Sequence, residues 1–187
     1  MTRIAIVDPQ PAVRAGLTML LRTEPGLVPV GSATGVEDGF QLVQRLRPAV
    51  VLLEQHLPDG DGLTLCRRLK ALPNPPRVML YTADPDVLLA RVVCADGAVD
   101  KSADPSELFE AIRVVARGGS ALPPLEPYQL DAAAHRIDPE DLALLAMLAD
   151  GTPADDAADT LRLDHRNVGR RIDRMVGRLR ADSPAAV

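Results

Sequence analysis

Five times in its first 118 residues, the chain passes from a short apolar run to an amphipathic stretch. That alternation restricts the fold more than any other feature, because it is the pattern of strand and helix in a parallel α/β sheet. The expected strands are 3–7, 27–32, 50–54, 78–81 and 97–100. Between them Val13, Leu17, Leu20 and Leu21 recur at helical spacing, as do Leu108, Ile112 and Val115 in the last segment. Strands this uniformly apolar need helices on both faces. The reading is an α/β, doubly wound, five-stranded parallel sheet. In open sheets of this kind ligands gather at the carboxyl ends of the strands. Asp8, Glu54, Thr82 and Lys101 each lie at or just past such an end, so four polar residues converge on one expected rim.

Gly118-Gly119 ends the last helix of this region, and 119–135, with Pro123, Pro124 and Pro127, reads as a linker. Residues 136–182 then carry three short helical signals, the pattern of a small all-α domain. Asp138-Pro139-Glu140-Asp141 offers an N-cap, a first-turn proline and an acid. Thr152-Pro153-Ala154-Asp155 repeats the design, and Asp164 can cap the third helix.

Apolar residues make up 47% of the 187 and aromatic ones only 2%, so the cores must be built from Leu, Val, Ile and Ala. Cys66 and Cys94 sit in apolar helical patterns, which suits buried free thiols in a reducing cytosol better than a disulfide. No stretch approaches the roughly 18 consecutive apolar residues of a membrane helix. The start MTRIAIVDPQ carries an acid where a signal peptide keeps an apolar core. A cytoplasmic protein is expected. His56, His135 and His165 are scattered, and no Ser-His-Asp set, phosphate loop or metal cluster is visible, so neither an enzyme nor a cofactor is expected. The net charge of −5 argues against whole-surface binding to nucleic acid, but it hides an asymmetry. From 126 to 159 nine acids face one base, Arg136, whereas from 162 to 180 seven arginines face Asp164 and Asp173. A basic tip on an acidic body can still bind DNA.

The ordered motifs of residues 1–118 are Asp8, the block VVLLEQHLPDGDG at 50–62, the LYTA block with Thr82, and DKSADPSEL with Lys101. Together they resemble the receiver domain of two-component response regulators. The resemblance implies an aspartate nucleophile at the position of Glu54, and Mg²⁺ held by that aspartate and an acidic pair after the first strand. Here the extra methylene of Glu54 moves the carboxylate off line by more than about an ångström, an error the chemistry rarely tolerates. Pro9 takes the second acidic position and offers a metal no side-chain oxygen. Ala98 stands where the family places an aromatic switch residue. The implied receiver is degenerate and independent of aspartate phosphorylation. Glu54 then has two readings: it mimics the phosphorylated state by pairing with Lys101 near Thr82, or it forms a residual ion pair that holds the rim.

The stretch 137–180 resembles the LuxR-type helix-turn-helix of the NarL/FixJ response regulators. Pro139 and Asp141 stand in its opening block, and Ala149-Asp150-Gly151 end its first helix. Ala157-Ala158 and Leu161 belong to the second helix, Val168 and Leu179 to the third. In that third helix Val168, Ile172, Met175 and Leu179 form one stripe, with Arg166 and Arg170 opposite and Arg174 flanking them. Either these arginines face a major groove or they form a merely solvated surface. The expected contact set on double-stranded DNA is Arg166, Asn167, Arg170, Arg171, Arg174 and Arg178. Arg170 is expected to read bases, and Arg174 and Arg178 to meet phosphates. Gly169 occupies a usual lysine position and weakens the helix by about 1 kcal/mol. The family's fourth, dimerising helix is not expected at 183–187, which leaves a homodimer through the receiver-like half or a heterodimer with another regulator. The resemblance as a whole implies a DNA-binding transcription regulator; the alternative is an adaptor that pairs with an intact regulator and binds DNA weakly alone.

Overall fold

Val50 to Leu53 are completely buried, as are the last four residues of the first strand. Apolar side chains on both faces of a strand can only be covered by a layer on each side, and this decides the architecture of the first half. A computed structural model describes residues 1–181. The elements run β1 (Thr2–Val7), α1 (Pro11–Thr23), β2 (Leu27–Ala33), α2 (Val36–Leu46), β3 (Val50–Leu53), a two-residue hairpin pair β4 (His56–Leu57) and β5 (Gly60–Asp61), α3 (Gly62–Lys70), β6 (Arg77–Thr82), α4 (Val87–Val92), β7 (Gly97–Asp100) and α5 (Pro105–Ala116). There follow α6 (Pro127–Ala134), a 3₁₀ turn (Pro139–Asp141), α7 (Leu142–Ala149), α8 (Ala154–Leu161) and α9 (His165–Ala181). The expectation about 183–187 lies outside the described residues.

These elements form two compact units, Met1–Pro85 with Ala95–Pro123, and Asp86–Cys94 with 124–181. The first is a five-stranded sheet in the order β2-β1-β3-β6-β7, every neighbouring pair parallel. The doubly wound α/β class expected from the alternation is the fold found. β2 lies at an edge, where Pro29, which has no amide to donate, is tolerated beside a register shift between Ile4 and Ala5. Ile4, Ile6, Leu52, Met79 and Ile112 fill the core with almost no exposure. At the amino-terminal ends of β6 and β7, Asp96 accepts from Lys70 (2.8 Å), Arg77 (2.8 Å) and the Val78 amide (2.7 Å).

In the second unit α4 packs against α7 and α9. Part of the stretch expected as a linker is helical. Pro127 opens α6, and Glu126 and Gln129 form a capping box that stabilises so short a helix despite its weak amphipathicity. The acidic block 138–141 forms a 3₁₀ turn rather than the first α-turn. Asp164 caps α9, accepting from the Arg166 amide at 2.7 Å. Val168, Ile172, Met175 and Leu179 are buried, as their spacing requires, and Val176 joins them.

Candidate functional site

The rim of the sheet is built by strand ends. β1 delivers Asp8, β3 Glu54, β6 Thr82 and β7 Lys101, and parallel register brings all four to one edge. Lys101 Nζ lies 2.6 Å from Asp8 Oδ2 and 2.5 Å from Glu54 Oε2, so one ammonium bridges two carboxylates. The ion pair between Glu54 and Lys101 expected from the sequence is formed. Glu54 Oε1 accepts from the Thr82 hydroxyl at 2.8 Å and from the His56 amide at 3.0 Å. Asp8 Oδ1 accepts from the Gln10 amide at 2.7 Å. Asp8, Glu54 and Thr82 are buried, and the Lys101 amide donates to Thr82 O at 2.9 Å, which ties the lysine's backbone to the same edge.

The electrostatics follow from these partners. Burial pushes the Glu54 carboxyl up, but hydrogen bonds from Lys101, the His56 amide and Thr82 together outweigh it and hold the group below its ordinary range. Burial likewise lowers the Lys101 ammonium, and Asp8 and Glu54 reverse that and raise it. Both groups stay charged at neutral pH. The residues do not fit a divalent cation: Pro9 supplies no oxygen, and the facing oxygens of Asp8 and Glu54 are both held by Lys101. Ala98 is buried in β7 with no ring to swing. Tyr81, which sequence reasoning passed over, sits beside the site, with the Lys101 ammonium 6.0 Å from its ring centre.

Asp59 was also missed. Its carboxylate accepts from the amides of Val36 (2.7 Å) and Glu37 (3.3 Å) and so caps α2 from 23 residues away. A Cβ at Gly35 would come within 2.4 Å of Asp59 Oδ1, so a larger residue there would displace this cap.

The six residues expected to meet DNA divide into two sets on α9. Arg166, Asn167 and Arg170 are exposed, and among the described residues no carboxylate pairs with either arginine. Arg171, Arg174 and Arg178 are engaged by acids of the 138–141 block. The buried Asp141 takes Arg171 on Oδ1 and Arg174 on Oδ2, both at 2.8 Å, and Asp138 Oδ1 takes Arg178 at 2.6 Å. Nothing in residue spacing signalled these partners, which lie 30 to 40 residues apart. At the start of α9, His165 bridges to α8. Its Nδ1 lies 3.1 Å from Asp155 and its Nε2 3.1 Å from Asp159.

The family model of the response regulator receiver domain matches residues 4–113. The DNA-binding transcriptional activator DevR/DosR of Mycobacterium tuberculosis is 32% identical over 192 residues, covering 96% of this chain and 88% of the relative. The nitrate/nitrite response regulator protein NarL of Escherichia coli K12 is 25% identical over 194 residues, 96% of this chain and 90% of its own. A solved two-component response regulator of the LuxR family from Aurantimonas superposes with a TM-score of 0.62 at 30% identity, over 66% of this chain and 91% of that one. The chain belongs to the response regulators, with a receiver domain at its N-terminal end and relatives of the NarL and DevR kind along most of its length.

Proposed function

We propose that the chain is a DNA-binding transcription regulator, an atypical response regulator whose receiver-like half, 1–118, works without aspartate phosphorylation and whose residues 136–182, joined to it through 119–135, bind double-stranded DNA. The observation that carries this reading is the bridge made by Lys101. Here Lys101 and Thr82 are both committed to Glu54, and Asp8 is neutralised by the same ammonium. Glutamate at 54 and proline at 9 support the same conclusion. For DNA binding, support comes from the exposed Arg166, Asn167 and Arg170 on one helix and from a relative described as a DNA-binding transcriptional activator.

The test combines two measurements on the full chain. Incubation with acetyl phosphate and Mg²⁺ is expected to leave no acid-labile label, and Glu54→Asp alone is expected to stay inert because Pro9 remains. Genomic fragments are expected to shift with the same affinity with or without the donor. Label at Glu54, or a donor-dependent shift, defeats the reading. A second reading, an adaptor that heterodimerises with an intact regulator, draws on the carboxylates that hold Arg171, Arg174 and Arg178 and on Asp155 and Asp156 in the first turn of α8, which repel phosphate. A chain that shifts no fragment alone but does so with a partner regulator decides for that reading.

A further inference from the structure

One flank of α9 faces a short ladder of acids. The lowest rung is Asp141, buried and shared by Arg171 and Arg174. Glu140 adds a bond to Arg174 at 3.1 Å and lies 3.8 Å from Arg171. Asp138 binds Arg178 at 2.6 Å and approaches Arg174 at 3.7 Å. Three carboxylates therefore converge on Arg174, whose side chain is still 42% exposed. A guanidinium meets a carboxylate and a phosphate through the same fork of donors and the same opposite charge, so the two compete for it directly. On a helical wheel Arg174 and Arg178 lie about 40° and about 80° from Arg170. They are near enough to the exposed Arg170 to reach a phosphate backbone that Arg170 approaches.

We propose that Asp138 and Glu140 are built-in phosphate surrogates, internal competitors that hold Arg174 and Arg178 away from nucleic-acid phosphates and so lower the affinity of the α9 surface for polyanions. The idea rests on the reading that α9 faces DNA. The division of labour within the ladder follows from burial. Asp141 is almost wholly inside and anchors α9 to the turn before α7, whereas Asp138 is half-buried and Glu140 exposed. Removing the outer two charges frees cations without opening the core. Arg166 and Arg170 then supply the standing contact, and Arg174 and Arg178 are a reserve that DNA gains only by displacing acids.

The test uses the full chain with Asp138→Asn and Glu140→Gln together. The control is Glu107→Gln with Glu110→Gln, the same change in net charge on α5. Each protein is eluted from immobilised heparin and titrated with a genomic DNA fragment between about 50 and about 200 mM salt. The ladder variant is expected to elute at higher salt than both wild type and control. Its plot of log affinity against log salt should steepen by about one to two, since each added phosphate contact contributes about 0.9. Adding Arg174→Ala and Arg178→Ala should cancel the gain. Elution no later than the control, or a gain that survives loss of both arginines, overturns the proposal. If the double variant is misfolded by circular dichroism, Glu140→Gln alone, at an exposed site, must still move elution in the same direction. Later elution from heparin by a protein that shifts no DNA fragment would refute the regulator reading while leaving the surrogate intact.

Discussion

Lys101 decides what the rim can be. Three charges lie within contact distance there, two negative and one positive, and the lysine alone keeps the carboxylates of Asp8 and Glu54 from facing each other uncompensated. Lys101→Met keeps most of the side-chain volume and removes that charge. Breaking a buried pair in this way costs about 3–5 kcal/mol. Chemical denaturation at pH 7 should register the loss, and a cost under about 1 kcal/mol, typical of exposed pairs, would mean that solvent screens the site. The pH dependence has a defined sign. Glu54 has its folded pKa held down, so its contribution is present above its unfolded value and lost as the pH falls through the lower folded one. Lys101 has its folded pKa raised, and its contribution is lost only as the pH rises through that raised value. The contribution of the rim pair to stability should therefore stay level across neutral pH. The four rim residues were legible because each ends an apolar run. The bridging of Asp8 was not, since spacing shows which side chains share an edge and not which of two acids a lysine reaches.

At the scale of elements, one exposed histidine links α8 and α9 through two carboxylates. The Asp155 hydrogen bond, opposed by desolvation and aided by Asp159, raises the His165 pKa above its ordinary value. Two ring nitrogens facing two carboxylates both donate only when the imidazole is protonated. The stabilisation is complete below the unfolded pKa of about 6.5 and is lost as the pH rises through the higher folded value. The other charges near this junction are Asp156 on α8, Arg162 in the turn, and Asp164 and Arg166 beside the histidine. His165→Gln should flatten the melting temperature between pH 6 and pH 8.5 relative to wild type, by about the change one partner makes. A ring titration by NMR at or below the ordinary value would remove the effect. The same scale explains what the sequence hid. Strands β1, β3 and β6 were readable because burial on both faces leaves an unbroken apolar run. α6 was not, because prolines and a faint amphipathic pattern look like a linker until the capping box of Glu126 and Gln129 closes. The cap on α2 comes from Asp59, outside any local window.

On the proposed DNA-binding reading, charge across the whole molecule decides how strongly the chain holds a polyanion. Its net charge of −5 repels a polyanion at distances within the Debye length, about 10 Å at 0.1 M salt, so attraction must come from cations that touch phosphate. Seven arginines between 162 and 180 suggest a steep salt dependence, yet Arg171, Arg174 and Arg178 are already paired with acids. Within the expected contact set, Arg166 and Arg170 are the arginines not held by carboxylates among the described residues; with Arg170 on a base, Arg166 remains for phosphate, and the chain should show a slope of about −1 in log affinity against log salt, at about 0.9 per phosphate. Substitution separates the roles. Arg170→Ala should weaken binding and shrink the ratio between a mapped operator and a scrambled fragment by about 1–3 kcal/mol, the worth of a bidentate base contact. Arg178→Ala in the wild-type background should change the slope by much less than one, because Asp138 already occupies that guanidinium. A full unit lost with Arg178→Ala would mean that DNA displaces Asp138 without resistance, and the shallow slope would then fail with it.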